Sequence, residues 1–223
     1  MSERADLSYI DTWLFDLDNT LYPPEAELMS LIERRMTHFV QRQTGLGRDD
    51  AFALQKKYLH EHGTTLAGLM ANHGVDPEAF LEEVHDVSMA GLTPDAGLRE
   101  AIGALPGRRL VFTNGDKAHA DRVLRALHLD DLFEAVFHIA LADYVPKPHP
   151  DTFRRMIEAH DIDPPRTAFI EDTARNLLPA YDLGMTTVLV GPSALQGDER
   201  FVVHRTDNLT AFLKAAHLKE TRL

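Results

Sequence analysis

The chain has no cysteine and a single tryptophan among its 223 residues. Without cysteine, disulfides, thiolate metal sites and cysteine nucleophiles are excluded together. No apolar run approaches the roughly 18 residues of a membrane span. Basic residues are scarce as well, with 23 Lys and Arg against 35 Asp and Glu and a net charge of −12. That deficit argues against a broad surface for nucleic acid or an anionic membrane, although a local site can still hold a small anion. The opening residues, MSERADLSYID, are polar and offer no apolar signal-peptide core, so the expected location is the cytoplasm. What remains is ordinary for a folded protein: 44% hydrophobic and 26% charged residues make disorder a poor description. The length suits one domain, or one core with a smaller domain inserted.

Five short runs read as strands: Thr12 to Phe15, Arg109 to Thr113, Ala135 to Ile139, Thr167 to Ile170 and Thr186 to Val190. Several are continuously apolar, as strands covered on both faces of a parallel sheet are. Helical periodicity fills the gaps between the later strands, over 117–128, 150–160 (with Pro150 at the first helical position) and 174–183 before Gly184. A last amphipathic helix is expected over 208–217. This alternation predicts right-handed βαβ units. Residues from about Pro24 to Leu92 break the rhythm, with helical patterns through Leu28–Val40, Ala51–Leu59, Leu66–Met70 and beyond Pro77. The expected fold is therefore α/β: a Rossmann-like parallel sheet core with helices on both faces, and an inserted all-helical module.

The chemistry-bearing residues gather at the strand ends, where open α/β sheets bind ligands. The first strand runs into Asp16-Leu17-Asp18-Asn19-Thr20. Asp16 and Asp18 are two apart, so an extended chain turns both carboxylates the same way. Such a pair is costly unless a cation or proton relieves it; the alternative is an Asx-type turn. A second acidic pair, Glu171-Asp172, ends another strand, and parallel strands share one C-terminal edge. Four converging carboxylates with no cysteine favour a hard cation, Mg²⁺ foremost, while a helix cap is the plainer reading of the second pair. Thr113-Asn114-Gly115-Asp116 can form a small anion nest. Prolines on both sides hold Lys147, which is otherwise a surface lysine in a Pro-rich loop. His60-Glu61-His62, His73 and His85 lack the HExxH spacing and point to no metal site. Lys117 and His119 either touch substrate or form a solvated first helical turn. His62 to Thr65 either faces the cleft or simply joins two helices.

In order along the chain, DLDNTL, TNGD, Lys147 within PKPHP, and FIEDTARN resemble the four motifs of the haloacid dehalogenase superfamily of phosphohydrolases. More narrowly, FDLDNTLYPP, VFTNGDKAHADRVL and IEDTARNLLPA resemble the bacterial pyrimidine 5′-nucleotidase branch. The resemblance implies a core over 1–22 and 93–223 and a helical C1 cap over 23–92. It implies Asp16 as the nucleophile of an aspartyl-phosphate mechanism and Asp18 as the acid–base. Thr113 and the Asn114 N–H would bind phosphoryl oxygens, and Lys147 would bridge nucleophile and phosphate. Asp16, the Asp18 carbonyl, Asp172 and Glu171, directly or through water, would hold Mg²⁺. The implied substrate is a small phosphorylated metabolite, a pyrimidine nucleoside 5′-monophosphate before a sugar phosphate or phosphoglycolate, with no nucleic-acid polymer and no membrane as partner. A haloacid dehalogenase is disfavoured by Asp18, since a halide leaves without a proton. The contrasting class is a catalytically idle protein that only binds a phosphorylated ligand or a partner protein.

Overall fold

The structure, a computed structural model, describes residues 5–219. Met1 to Arg4 and Glu220 to Leu223, the outer ends of the expected core segments, lie outside the described residues. Six strands make one parallel sheet: β1 (Thr12–Phe15), β2 (Arg108–Phe112), β3 (Ala135–Phe137), β4 (Thr167–Glu171), β5 (Thr186–Val190) and β6 (His204–Thr206), in the order β3-β2-β1-β4-β5-β6. β1 is central, pairing Phe15 with Val111 on one side and with Ile170 on the other. This register brings the C-terminal ends of β1, β2 and β4 together on one edge.

Alternation along the strands divides the core into two layers. Trp13, Phe15, Val111, Ile170 and Val188 belong to one apolar cluster, and Leu14, Leu110, Phe112, Phe169 and Leu189 to the other. The first layer is completed by α5 (Ala96–Gly103), α6 (Lys117–Ala126) and α9 (Leu209–Ala215), through Leu98, Ile102, Val123, Leu124 and Leu213. The second is completed by α7 (Pro150–His160) and α8 (Ala174–Asp182), through Phe153, Met156, Leu177 and Ala180. Helices therefore cover both faces, as right-handed crossovers require.

Between β1 and α5 lie four helices: α1 (Leu28–Thr44), α2 (Arg48–His62), α3 (Thr65–His73) and α4 (Pro77–His85). Their ends follow local chemistry. Gly45 closes α1 at φ 75°, the Thr64 hydroxyl accepts the Ala67 N–H at the start of α3, and Asp76 caps α4 ahead of Pro77. Phe39 of α1 and Phe80 of α4 meet edge to face, with ring centroids 5.0 Å apart.

Three expectations change. The third strand stops at Phe137, and Ile139–Ala142 winds into a 3₁₀ turn instead of extending it. The second strand ends at Phe112, which leaves Thr113 in the turn. The sheet has a sixth strand, β6, whose three residues are too few and too polar to signal themselves.

Candidate active site

The central element of the site is Lys147, only 1% exposed. Its Nζ donates to Asp16 Oδ1 at 2.7 Å, to Glu171 Oε2 at 2.8 Å and to the Phe112 carbonyl at 2.7 Å. The rings of Phe112 and Phe169 lie beside it, with centroids 5.0 and 5.3 Å from Nζ. Asn114 fixes the lysine's backbone: its Oδ1 accepts the Lys147 N–H at 2.8 Å, and its Nδ2 donates to the Lys147 carbonyl at 3.3 Å. With that side chain engaged, the Asn114 main-chain N–H is the group left for an anion. Thr113 Oγ1 accepts the Gly115 N–H at 2.9 Å, which keeps the hydroxyl proton available for a second partner.

Asp16, Glu171 and Asp172 each place a carboxylate oxygen within 4.8 Å of the others, the one such group of potential metal ligands among the described residues. Burial and then the neighbouring Glu171 push Asp16 up to about 7. Burial likewise lifts Glu171 to about 7, and burial together with Asp16 raises Asp172. For Lys147, burial is outweighed by Asp16 and Glu171, which hold its amine above the usual lysine range. Two buried carboxylates and a half-buried one against one lysine leave unrelieved negative charge, and an all-oxygen donor set of this kind suits a hard divalent cation. The Asn176 Oδ1, a buried acceptor with no partner, lines the same cleft. Glu171 is already occupied, its Oε1 accepting the Thr173 N–H at 3.1 Å.

Asp18 lies in different surroundings. Its Oδ1 accepts from the Tyr22 hydroxyl at 2.7 Å and pairs with His119 Nε2 at 2.8 Å. Burial alone would raise its pKa, but His119 and Tyr22 overcome burial and lower it to about 2. In return Asp18 raises His119 against the effect of burial. His119 stacks on His85 of α4 at 4.2 Å, and His85 Nδ1 meets Asp116 Oδ2 at 2.5 Å. Two adjacent carboxylates thus have opposed properties: Asp16 beside a lysine and other acids, Asp18 gripped through one oxygen by two side chains.

His119, which the sequence leaves open between a substrate contact and a solvated first turn, is buried on Asp18. Lys117 pairs with Asp121 on the surface. Gly63, Thr64 and Thr65 line the cleft, and Gly63 sits close to Pro146 at φ 85°. Arg175 donates from the start of α8 to the carbonyls of Leu59 and Gly63, tying the sheet edge to the end of α2. Nothing in the sequence singles out Tyr22, Arg175 or Gln55, and His85 stands out there only as a poor metal-ligand candidate. Tyr22 lies within local reach, four residues beyond Asp18, whereas the others depend on long-range folding.

Residues 10–184 match the family of haloacid dehalogenase-like hydrolases. The chain belongs to that family. It is 28% identical to Phosphate metabolism protein 8 of Saccharomyces cerevisiae, over 79% of this chain and 60% of that protein's length. It is 26% identical to the (S)-2-haloacid dehalogenase of Xanthobacter autotrophicus, over 81% of this chain and 73% of that one. Among solved structures it resembles a HAD phosphatase from Thermococcus onnurineus, with a TM-score of 0.62 at 19% identity, covering 94% of this chain and 100% of that one. That last likeness concerns the fold. Among the described residues, no helix of this hydrolase is long and apolar enough to cross a membrane.

Proposed function

We propose that this hydrolase is a phosphomonoesterase working through an aspartyl-phosphate, with a pyrimidine nucleoside 5′-monophosphate as its preferred substrate. The observation that carries the reading is the pairing of Asp16, held by Lys147, with a second carboxylate, Asp18, anchored by Tyr22 and His119. A halide leaves without a proton, so a dehalogenase has no use for so carefully held an Asp18. An alkoxide leaving from phosphorus does need one.

In this scheme an Asp16 oxygen attacks phosphorus as the P–O ester bond breaks. Asp18 enters ionised; a phosphate dianion brought beside it favours uptake of a proton from solvent, and Asp18 then gives that proton to the leaving oxygen. Once the alcohol departs, Asp18 takes a proton from water as the water attacks the phosphoryl group and the Asp16–phosphorus ester bond breaks, returning Asp16 and phosphate; Asp18 then releases that proton to solvent. Lys147 neutralises Asp16 in the resting state and faces the transferred oxygens during attack. Thr113 and the Asn114 N–H hold those oxygens. Asp16, Asp172 and the Asp18 carbonyl are the ligands we assign to Mg²⁺, with Glu171 acting through Lys147 or a water. When bound, Mg²⁺ would supply charge neutralisation at the phosphoryl group. We read 23–92 as a cap over a core of 1–22 and 93–223, excluding water from the closed cleft.

The test is phosphate release from a panel of nucleotides, sugar phosphates and phosphoglycolate with Mg²⁺. Asp16→Asn is expected to retain less than about one per cent of wild-type turnover while its circular dichroism is unchanged. Turnover above that level in clean protein would remove Asp16 as nucleophile. No release from any member would leave the idle ligand-binding class standing.

A further inference from the structure

One cleft of about 410 Å³ joins the carboxylate site to the inserted helices. Beyond the phosphoryl-handling residues its walls include a set of apolar side chains, among them Met29, Met36, Leu59, Leu66, Phe80 and Val84. All but one of the cations that line it are paired with carboxylates, Arg175 being the exception. Lys56 is paired with Glu33, His85 faces Asp116, Arg175 holds two main-chain carbonyls, and Lys147 holds Asp16 and Glu171. A leaving group carrying a carboxylate or second phosphate would find a counter-charge only at Arg175, and against the rest of the wall would be desolvated without one, which is unfavourable.

Besides Asn176, whose Oδ1 has no partner, the cleft wall holds a second buried amide with unused capacity. Gln55 of α2 is 3% exposed and lines the cleft. Its Oε1 lies 2.7 Å from the buried Thr37 hydroxyl, whose single proton is shared with the Glu33 carbonyl at 3.0 Å. Its Nε2 has only the Met36 sulfur, at 3.9 Å, a weak acceptor. Buried amide hydrogens left this way are costly until an acceptor arrives, so they discriminate for ligands that bring one.

We infer that the cleft takes a neutral leaving group with a flat apolar body and a carbonyl-type acceptor, and that Gln55 donates to that acceptor. The inference rests on the phosphatase reading for the placement of the phosphoryl group. A pyrimidine carbonyl has the required chemistry. Ribose without its base lacks the acceptor, and phosphoglycolate carries the wrong charge.

The test uses the full chain carrying Asp16→Asn, which removes turnover from the measurement, with and without Gln55→Met. Methionine keeps the length of glutamine and removes both amide hydrogens. Calorimetric titrations with Mg²⁺ compare uridine 5′-monophosphate, ribose 5-phosphate and 2-phosphoglycolate, and the same three are assayed for phosphate release without the Asp16 change. Uridine 5′-monophosphate is expected to bind at least about tenfold more tightly than either other ligand. Gln55→Met is expected to erase its preference over ribose 5-phosphate, read as the ratio of affinities and of kcat/KM. An unchanged ratio, or phosphoglycolate binding as tightly as the nucleotide, overturns the inference. Should Gln55→Met fail to melt as a folded protein, Gln55→Leu removes the amide hydrogens with a shorter apolar side chain, and the same loss of preference is required. Base-dependent binding without phosphate release refutes the phosphatase reading and spares this one; release without base dependence does the reverse.

Discussion

Replacing Lys147 with methionine removes one buried charge and little volume, because the thioether still lies against Phe112 and Phe169. It deprives Asp16 and Glu171 of the donor that holds them at 2.7 and 2.8 Å. Removing one partner from a buried ionic cluster costs about 3–5 kcal/mol, since the remaining charges are left uncompensated. The loss should depend on pH. Asp16 and Glu171 are each raised to about 7 even with the lysine present. Carboxyls raised on folding make the native state hold more protons than the unfolded chain, whose carboxyls titrate at about 4. Stability therefore falls as pH rises from about 4 through the folded value, at about 1.4 kcal/mol per pH unit for each extra proton. Lys147→Met moves the upper limit of that window higher. The gap from wild type should thus be widest near pH 8 and should narrow on acidification, as the variant takes up protons that the wild type does not yet hold. Urea unfolding in EDTA, followed through Trp13, the sole tryptophan and buried in β1, measures this directly. A loss below about 1 kcal/mol at pH 8, or a gap independent of pH, would refute the claim that the lysine holds these carboxylates together.

Three further outcomes are expected. Asp18→Asn should lower turnover of a nucleoside monophosphate far more than that of p-nitrophenyl phosphate, whose leaving group hardly needs a proton; equal losses would reduce Asp18 to a purely structural role. EDTA should abolish phosphate release and Mg²⁺ restore it, with Asp172→Ala raising the Mg²⁺ concentration required; full activity after exhaustive chelation would contradict a cation among Asp16, Glu171 and Asp172. Gly68→Ala should destabilise the protein by about 1–3 kcal/mol in the same urea assay, because a β-carbon at 68 would run into the Tyr58 side chain where α3 packs on α2; a neutral result would mean the two helices part readily.

The α/β alternation and the acidic strand ends were legible because both are local. Continuous apolar runs mark strands covered on both faces, and a turn after such a strand must surface at the sheet edge. Spacing by two therefore sufficed to bring Asp16 and Asp18 forward, and the FIEDTARN run did the same for Glu171 and Asp172. The local signal failed at β6, where His204-Arg205-Thr206 becomes a strand only because β5 offers it an edge. It also failed at α5, whose apolar stripe was not singled out.

What only the tertiary structure decided is which groups face one another. Setting β1 between β2 and β4 carries Lys147 to Asp16 across 131 positions and His119 to Asp18 across 101. Those encounters make one aspartate of a DLD string hard to ionise and its neighbour easy, a contrast that two identical side chains cannot encode by themselves. The Gln55 amide is a further case: α2 carries no sign that its glutamine is buried, with Thr37 of α1 beside its carbonyl and only the Met36 sulfur beside its Nε2. Strand ends are written in residue order. Pairing across a sheet and between packed helices depends on register and burial, which no short stretch of sequence contains.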